Sequence, residues 1–322
     1  MQNIKSRLAL SLLFALFVFV ALAFYADAPR LLSAFAKFDW RFLPLALATT
    51  LANYLLRFVR WHYYLDVIGV QNVPRRDSLL IFLSGFSLTL TPGKLGELLK
   101  SFLLKNRFGT PVSYSASIVV AERLTDVLGM IILAAAGLAF YPIGIGALAI
   151  VLVGTAILLV VVQQRALAER MLDLFARVPL IGRFAHLARN LYESAYLMLG
   201  VEPLLIAIAL SIAAWFGECV AFFFILLGIG EPPTLALVLQ ATFIYAAASL
   251  FGAISMLPGG LGATEGGMAL LLQQIVSVAR EESVAATLIV RLCTLWFAVL
   301  LGVIALLALG LPRVELASRE PS

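Results

Sequence analysis

Six apolar runs, at 8–25, 43–68, 113–140, 143–162, 203–229 and 284–311, dictate the solvent in which this chain folds. A helix needs about 20 apolar residues to cross a hydrocarbon core about 30 Å thick, and each run approaches or exceeds that length. The runs are continuous, whereas the strands of an outer-membrane barrel alternate apolar and polar residues. In lipid every backbone polar group must be satisfied internally, so continuous runs mean helices. Only 13% of residues are charged against 62% apolar, where a soluble domain carries about 25% charged residues. The chain reads as an all-α polytopic membrane protein, a single transmembrane domain over 1–322, with about six full spans plus two re-entrant helical hairpins. No polar stretch is long enough to fold as a separate catalytic domain.

Lys and Arg accumulate on the cytoplasmic side of a membrane protein, so their order sets the orientation. Lys5 and Arg7 place the N-terminus inside. The run before Ala26-Asp27-Ala28 imitates a secretory signal, but its 18 residues exceed a signal core and Pro29 would follow the scissile bond, so 8–25 is a retained first span. The loop 26–41 lies outside with Arg30, Lys37 and Arg41, and 43–68 returns to Arg75-Arg76. Segment 78–104 breaks at Thr91-Pro92-Gly93 and emerges at Lys100, Lys105 and Arg107, bases that suit the cytoplasm; it reads as a hairpin re-entering from that side. Span 113–140 exits, the chain turns at Tyr141-Pro142, and 143–162 returns. Segment 163–200 is a cytoplasmic interfacial segment holding Arg165, Arg170, Arg177, Arg183 and Arg189. Its Leu167, Met171, Leu174, Phe175, Val178, Leu187 and Leu191 stand at near-helical spacing, as one or two interfacial helices split near Pro179 and Gly182 would require; a solvated connecting loop is the alternative. Span 203–229 exits to Glu231-Pro232-Pro233, 235–279 forms a second broken segment ending at Arg280, and 284–311 returns. This topology puts 14 Lys or Arg inside, 4 outside and 5 in the membrane, accounting for the 23 present. Both termini are then cytoplasmic, in a multi-pass protein of the cytoplasmic (inner) membrane.

The two halves share an order. The first repeat, 40–140, contains Leu90-Thr91-Pro92-Gly93-Lys94-Leu95-Gly96-Glu97 and Arg123 in its next span; the second, 203–311, contains Leu257-Pro258-Gly259-Gly260-Leu261-Gly262-Ala263-Thr264-Glu265 and Arg291 in its next span. Proline and arginine are 31 residues apart in one and 33 in the other. One hairpin enters from each side, the pattern of an inverted-topology repeat.

Proline and glycine break the backbone ladder, and in a membrane such a break survives only inside protein or beside a water-filled cavity. A half-helix starting after the break aims its N–H groups and positive dipole end at that cavity; with Lys94 this makes an anion site suited to a lipid phosphate, and a ligand-free kink is the bland alternative. Charges inside the membrane cost about 2.5–3.5 kcal/mol each by insertion scales, yet Arg57, Arg60, Glu97, Glu122, Arg123, Asp126, Glu218, Glu265 and Arg291 all lie in apolar surroundings. Glu122 and Asp126 share a helix face, as do Arg57 and Arg60 with Asn53 and Trp61. Pairing of Glu97 with Arg123 and of Glu265 with Arg291 is expected, either as clamps or as walls of a groove that passes a headgroup while acyl tails stay in lipid. Enzyme readings fare worse. His62 and His186 have no carboxylates at metal-ligand spacing, Cys219 and Cys293 read as packing residues, and Pro92-Gly93-Lys94-Leu95-Gly96 lacks the spacing of a nucleotide-binding loop. No cofactor, metal or nucleic-acid partner is expected.

Arg57–Val70, Leu90–Leu104 with its Thr-Pro-Gly-Lys-Leu-Gly-Glu, Ala121-Glu122-Arg123 with Asp126, and Leu257–Gly262 with Glu265 together resemble a large flippase-like family of bacterial and archaeal membrane proteins, itself similar to the transmembrane flippase region of lysylphosphatidylglycerol synthases. That family includes proteins associated with hopanoid transport and archaeal glycan assembly. The resemblance covers roughly 5–312 and implies a lipid-translocating fold with helices re-entering from both sides; the synthases' soluble aminoacyl-transferase domain has no counterpart here. The expected function is a lipid flippase or lipid transporter for a polar-headgroup lipid, with membrane lipids, and lipid-biosynthesis enzymes, as partners. Pro92, Gly93, Lys94, Gly96, Glu97, Pro258, Gly259, Gly260, Gly262 and Glu265 would line the path, with Arg57, Arg60, Glu122, Arg123, Asp126 and Arg291 as its charged partners. The alternative is a membrane scaffold for a lipid-modifying enzyme or glycosyltransferase that transports nothing; an integral lipid-linked transferase comes third.

The charge distribution makes one direct prediction. A cysteine placed at Lys105 reacts with a membrane-impermeant maleimide only when the cytoplasmic face is opened; labelling in intact cells would show that 78–104 crosses fully.

Overall fold

The computed structural model describes residues 2–91, 96–138, 145–176 and 185–310. Among them every regular element is helical: α1 (Gln2–Tyr25), α2 (Ala28–Lys37), α3 (Leu43–Val67), α4 (Arg75–Ser84), α5 (Leu99–Phe108), α6 (Val112–Leu138), α7 (Ile145–Gln163), α8 (Arg165–Ala176), α9 (Ala185–Met198), α10 (Val201–Gly228), α11 (Leu235–Ile254), α12 (Ala263–Leu271), α13 (Arg280–Arg291) and α14 (Phe297–Leu309). A π-turn at Leu292–Trp296 joins α13 to α14, and another at Leu272–Val276 extends α12. Trp40–Val67, α10, α11 and Arg280–Leu309 are long and apolar enough to cross a membrane; with the bent pairs α1–α2 and α7–α8 each counted as one span, the number is six. Helix α6 has a span's length, 27 residues, and carries three charges in its middle.

The local sequence sets the boundaries. Pro44 lies in the first turn of α3, where its missing N–H costs nothing. The Thr234 hydroxyl accepts the Leu237 N–H and starts α11. Gly109, at φ +72°, ends α5 in the left-handed conformation that glycine reaches without strain.

Helix α10 packs along α3 and also touches α6 and α11, so these four form the centre. Around them the contacts exchange between halves: α11 lies on α6, while α4 and the tight turn Gly85–Leu88 lie on α14. Lipid supplies no hydrophobic force between helices, so contact depends on shape and small residues. Gly302 shows this: a Cβ there would lie 2.8 Å from the Phe86 carbonyl carbon and 2.9 Å from the Leu83 carbonyl oxygen.

Polar contacts tie the helix ends into two groups. In one, Asp39 N–H donates to the Gly228 carbonyl (2.8 Å), Arg280 reaches the Tyr25 carbonyl (3.3 Å) and Tyr25 donates to Gln273 (3.3 Å). In the other, Arg107 holds both Asp77 (3.2 Å) and the Leu309 carbonyl, while Gln163 meets the Leu199 carbonyl. Both broken segments also start and finish close together: Asp77 of α4 meets Arg107 of α5, and Gln240 of α11 donates to the Ile275 carbonyl at 3.2 Å.

One expectation needs amendment. The stretch 26–41 is no plain loop; it contains α2, bent 93° from α1, whose Leu31 and Ala34 bury against Ala269, Val284 and Ala285. Its apolar face, and Pro29 preset for a first turn, make the helix. Segment 163–200 holds two helices, with α8 turned 88° from α7 and α9 packed on α6; Ser194 and Met198 of α9 are buried. The first arm of the second broken segment, α11, has 20 residues, about 30 Å. The turns at Tyr141-Pro142 and at Pro179 to Gly182, and the C-terminal tail, lie outside the described residues.

Because the α14 contact with α4 closes on bare backbone, Gly302→Ala must push the helices apart. Overpacking of this kind costs about 1–3 kcal/mol, so the variant should unfold at a lower temperature in detergent, while Gly146→Ala, whose Cβ meets nothing, melts like the parent.

Candidate functional site

The described residues that flank the first break lie close to the second. Gly259 lies beside Leu90, and between the breaks opens a cavity of about 100 Å³. That is several times what one ordered water needs. Tyr54 and Arg57 of α3, Phe86 and Thr89, Glu97, Arg123 of α6, Trp215 and Glu218 of α10, Tyr245 of α11, Gly259 and Gly260, and Arg291 of α13 line it.

The second break shows why its residues are what they are. Gly259, Gly260 and Gly262 have φ of +60°, +69° and +83°, a run that side chains with a Cβ resist. Helix α12 begins after it, and Glu265, in its first turn, accepts the Gly262 N–H at 2.7 Å. This caps orphan backbone and puts a carboxylate at the positive end of the helix dipole. The other oxygen of Glu265 takes Arg291 Nε at 2.5 Å, and Arg291 Nη2 reaches the Gly259 carbonyl at 2.7 Å. One pair thus fixes loop, half-helix and following span.

The first break is built alike with different atoms. Thr91 Oγ accepts the Gly96 N–H at 2.8 Å and donates to the Leu88 carbonyl at 2.7 Å. A Cβ on Gly96 would stand 2.8 Å from the Leu88 carbonyl carbon, so the chain can double back here only on glycine. Glu97 follows and receives Arg123 Nη2 at 2.6 Å on both oxygens. Glutamate and arginine are 26 residues apart in each pair. Pro92, Gly93 and Lys94 lie outside the described residues.

Helix α6 holds two further pairs. Arg60 is 2.8 Å from Asp126, which also accepts from Ser211 at 3.1 Å and lies 3.6 Å from Arg123. Lys100 is 2.5 Å from Glu122 and 4.4 Å from the centre of the Trp61 ring. All four of these residues are at least 97% buried. Within five residues α6 therefore binds the first break, α3 and α5.

Of the residues selected from sequence, Arg57, Glu97, Arg123, Gly259, Gly260 and Arg291 line the cavity. Arg60, Glu122 and Asp126 stand apart from its walls in buried pairs, and Gly96, Pro258, Gly262 and Glu265 support the breaks from behind. Two inferences from charge are corrected. Arg57 and Arg60, expected on one face, part company: one lines the cavity, the other turns to Asp126. Lys100, read as a cytoplasmic marker, is 3% exposed and belongs to a buried pair. Tyr54, Trp215 and Tyr245 were not singled out; aromatic residues in apolar runs carry no mark that separates a wall from packing. Glu218 was visible as an embedded charge, and its place on the wall was not.

The sequence model of the lysylphosphatidylglycerol synthase TM region matches residues 8–302. A UPF0104 membrane protein of Pyrococcus horikoshii is 26% identical over 89% of this chain and 92% of its own length. Two UPF0104 membrane proteins of Methanothermobacter thermautotrophicus are 25% and 26% identical, over 90% and 77% of this chain and 90% and 79% of their own.

Removing one member of a buried pair strands the other, at a cost of about 3–5 kcal/mol, whereas replacing both with apolar groups is often neutral. Asp126→Ala should therefore lower the detergent melting temperature sharply, and Arg60→Met with Asp126→Leu should recover most of the loss. Additive losses in the double variant would show that the two do not act as a pair.

Proposed function

Since the chain belongs to the family of the lysylphosphatidylglycerol synthase TM region, we propose that it is a lipid flippase or transporter that carries a polar headgroup through the bilayer. The observation behind this reading is the cavity itself. Charged side chains and two opposed helix breaks meet inside a bundle of apolar helices. A structural core has no use for such a cavity, because each embedded charge there is costly; a headgroup path needs both its water and its charges. The acyl tails would stay in lipid while the headgroup exchanges with the pairs Glu97–Arg123 and Glu265–Arg291. Arg123 is the more accessible arginine, its side chain 27% exposed against 9% for Arg291.

On this reading the two broken segments are hairpins re-entering from opposite faces, and the halves form an inverted repeat. The meeting of Asp77 with Arg107 and of Gln240 with Ile275, and the exchanged packing of α4 on α14 and α11 on α6, support it. The protein would sit in the cytoplasmic membrane with both termini inside, and it would make and break no covalent bonds.

Reconstitution into liposomes with tail-labelled lipids tests the proposal. Glu97→Gln keeps size and hydrogen bonding but removes charge, and Arg123→Ala removes charge and length. Each should slow lipid movement by at least about tenfold, equivalent to about 1.4 kcal/mol on the barrier, with Glu97→Gln keeping the parent's expression and melting. Loss of activity strictly in step with loss of stability would mark a clamp, and a parent protein that moves no lipid would point to a scaffold.

A further inference from the structure

Ten charged side chains have been placed in the interior, and eight of them form ion pairs: Arg60–Asp126, Lys100–Glu122, Arg123–Glu97 and Arg291–Glu265. The two left over are Arg57 and Glu218, of opposite sign, on the walls of one cavity. The Arg57 guanidinium lies 5.2 Å from the centre of the Phe86 ring and 5.9 Å from that of Trp215. Its buried Nε has no hydrogen-bond partner, and no carboxylate pairs with it among the described residues. Glu218 is 5% exposed and accepts a hydrogen bond from the Tyr245 hydroxyl at 2.6 Å, with no cation paired to it among the described residues.

Each group is half of a recognition element. A guanidinium lying over aromatic rings keeps its N–H groups for hydrogen bonding, and that planar fork suits two phosphate oxygens at once. A carboxylate holding one hydrogen bond keeps acceptor capacity for an ammonium, and the Tyr54, Trp215 and Tyr245 rings in the same wall add attraction for that cation. We infer that the cavity is built for a zwitterionic phospholipid headgroup, one phosphodiester anion on Arg57 and one ammonium on Glu218. This rests on the lipid-carrying reading and adds a headgroup class to it. Among the described residues Arg57 and Glu218 are the interior cation and anion outside the four ion pairs, so a headgroup carrying one anion and one cation answers both. A purely anionic headgroup leaves Glu218 unanswered, and a headgroup with an extra ammonium brings a cation that finds no carboxylate.

The test uses the full chain in vesicles of an uncharged galactolipid, with traces of tail-labelled phosphatidylethanolamine, phosphatidylglycerol or lysylphosphatidylglycerol, and scores movement between leaflets by dithionite quenching. The zwitterionic lipid should move at least about tenfold faster than either other. Glu218→Gln should erase its advantage over phosphatidylglycerol, and Arg57→Gln its advantage over lysylphosphatidylglycerol; a merely structural role would slow all three lipids by one factor. If Glu218→Gln does not fold, Arg57→Gln alone decides. Equal rates in the parent, faster movement of either charged lipid, or uniform slowing in the variants overturns the headgroup assignment and leaves lipid transport standing. Movement of none of the three lipids overturns both.

Discussion

Everything in this bundle depends on neutralising charge where water cannot. An isolated charge at mid-membrane costs about 2.5–3.5 kcal/mol by insertion scales, and among the described residues five basic and five acidic groups lie inside. Four pairs meet at 2.5–2.8 Å. The pairs also act as joints. Each links elements that apolar packing alone would leave free to slide, since lipid-facing helices gain little from burying one more leucine. Arg60 and Asp126 fix α3 to α6, Lys100 and Glu122 fix α5 to α6, and the remaining two pairs fix the breaks.

The breaks are tolerable for the same reason. A helix that stops inside the membrane exposes backbone N–H groups with no water to satisfy them. Glu265 resolves this with one oxygen on the Gly262 N–H and one on Arg291; the first break divides the work, Thr91 taking the Gly96 N–H while Glu97 takes Arg123. The two solutions differ in atoms and agree in logic. What the breaks leave open between them is space, and the one unpaired cation and one unpaired anion among the ten face into it.

Much of this was legible in the sequence because lipid simplifies the code. Continuous apolar runs located α3, α6, α7, α10 and the unbroken stretch from α13 through α14 to within a few residues, and the order of break, glutamate and arginine foretold both Glu97–Arg123 and Glu265–Arg291. Failures came where one signal has two meanings. A lysine near a helix end marks the cytoplasmic side by default, so Lys100 was counted there, although Trp61, Phe82 and Glu122 enclose it. Three spaced bases in 26–41 look like a loop, and the apolar side of α2 shows itself only once α13 supplies a surface for it. Helical periodicity put Arg57 and Arg60 on one face; three residues apart, they are far enough round the helix for Arg60 to reach Asp126 and Arg57 the cavity.

The direction of the pairs along the chain bears on how such a protein is made. Arg60, Glu97 and Lys100 all precede the helix that holds Asp126, Arg123 and Glu122, and Glu265 precedes Arg291. A ribosome delivers the N-terminal part first, so by the time α6 leaves the insertion machinery its three counterions have already been synthesised. Helix α6 is therefore a poor candidate for insertion by itself and a good one for insertion alongside α3 to α5. The unit of biogenesis is then the ion-paired group of helices rather than the single span, and a chain truncated before residue 126 would leave Arg60 waiting in the bilayer for a partner never made.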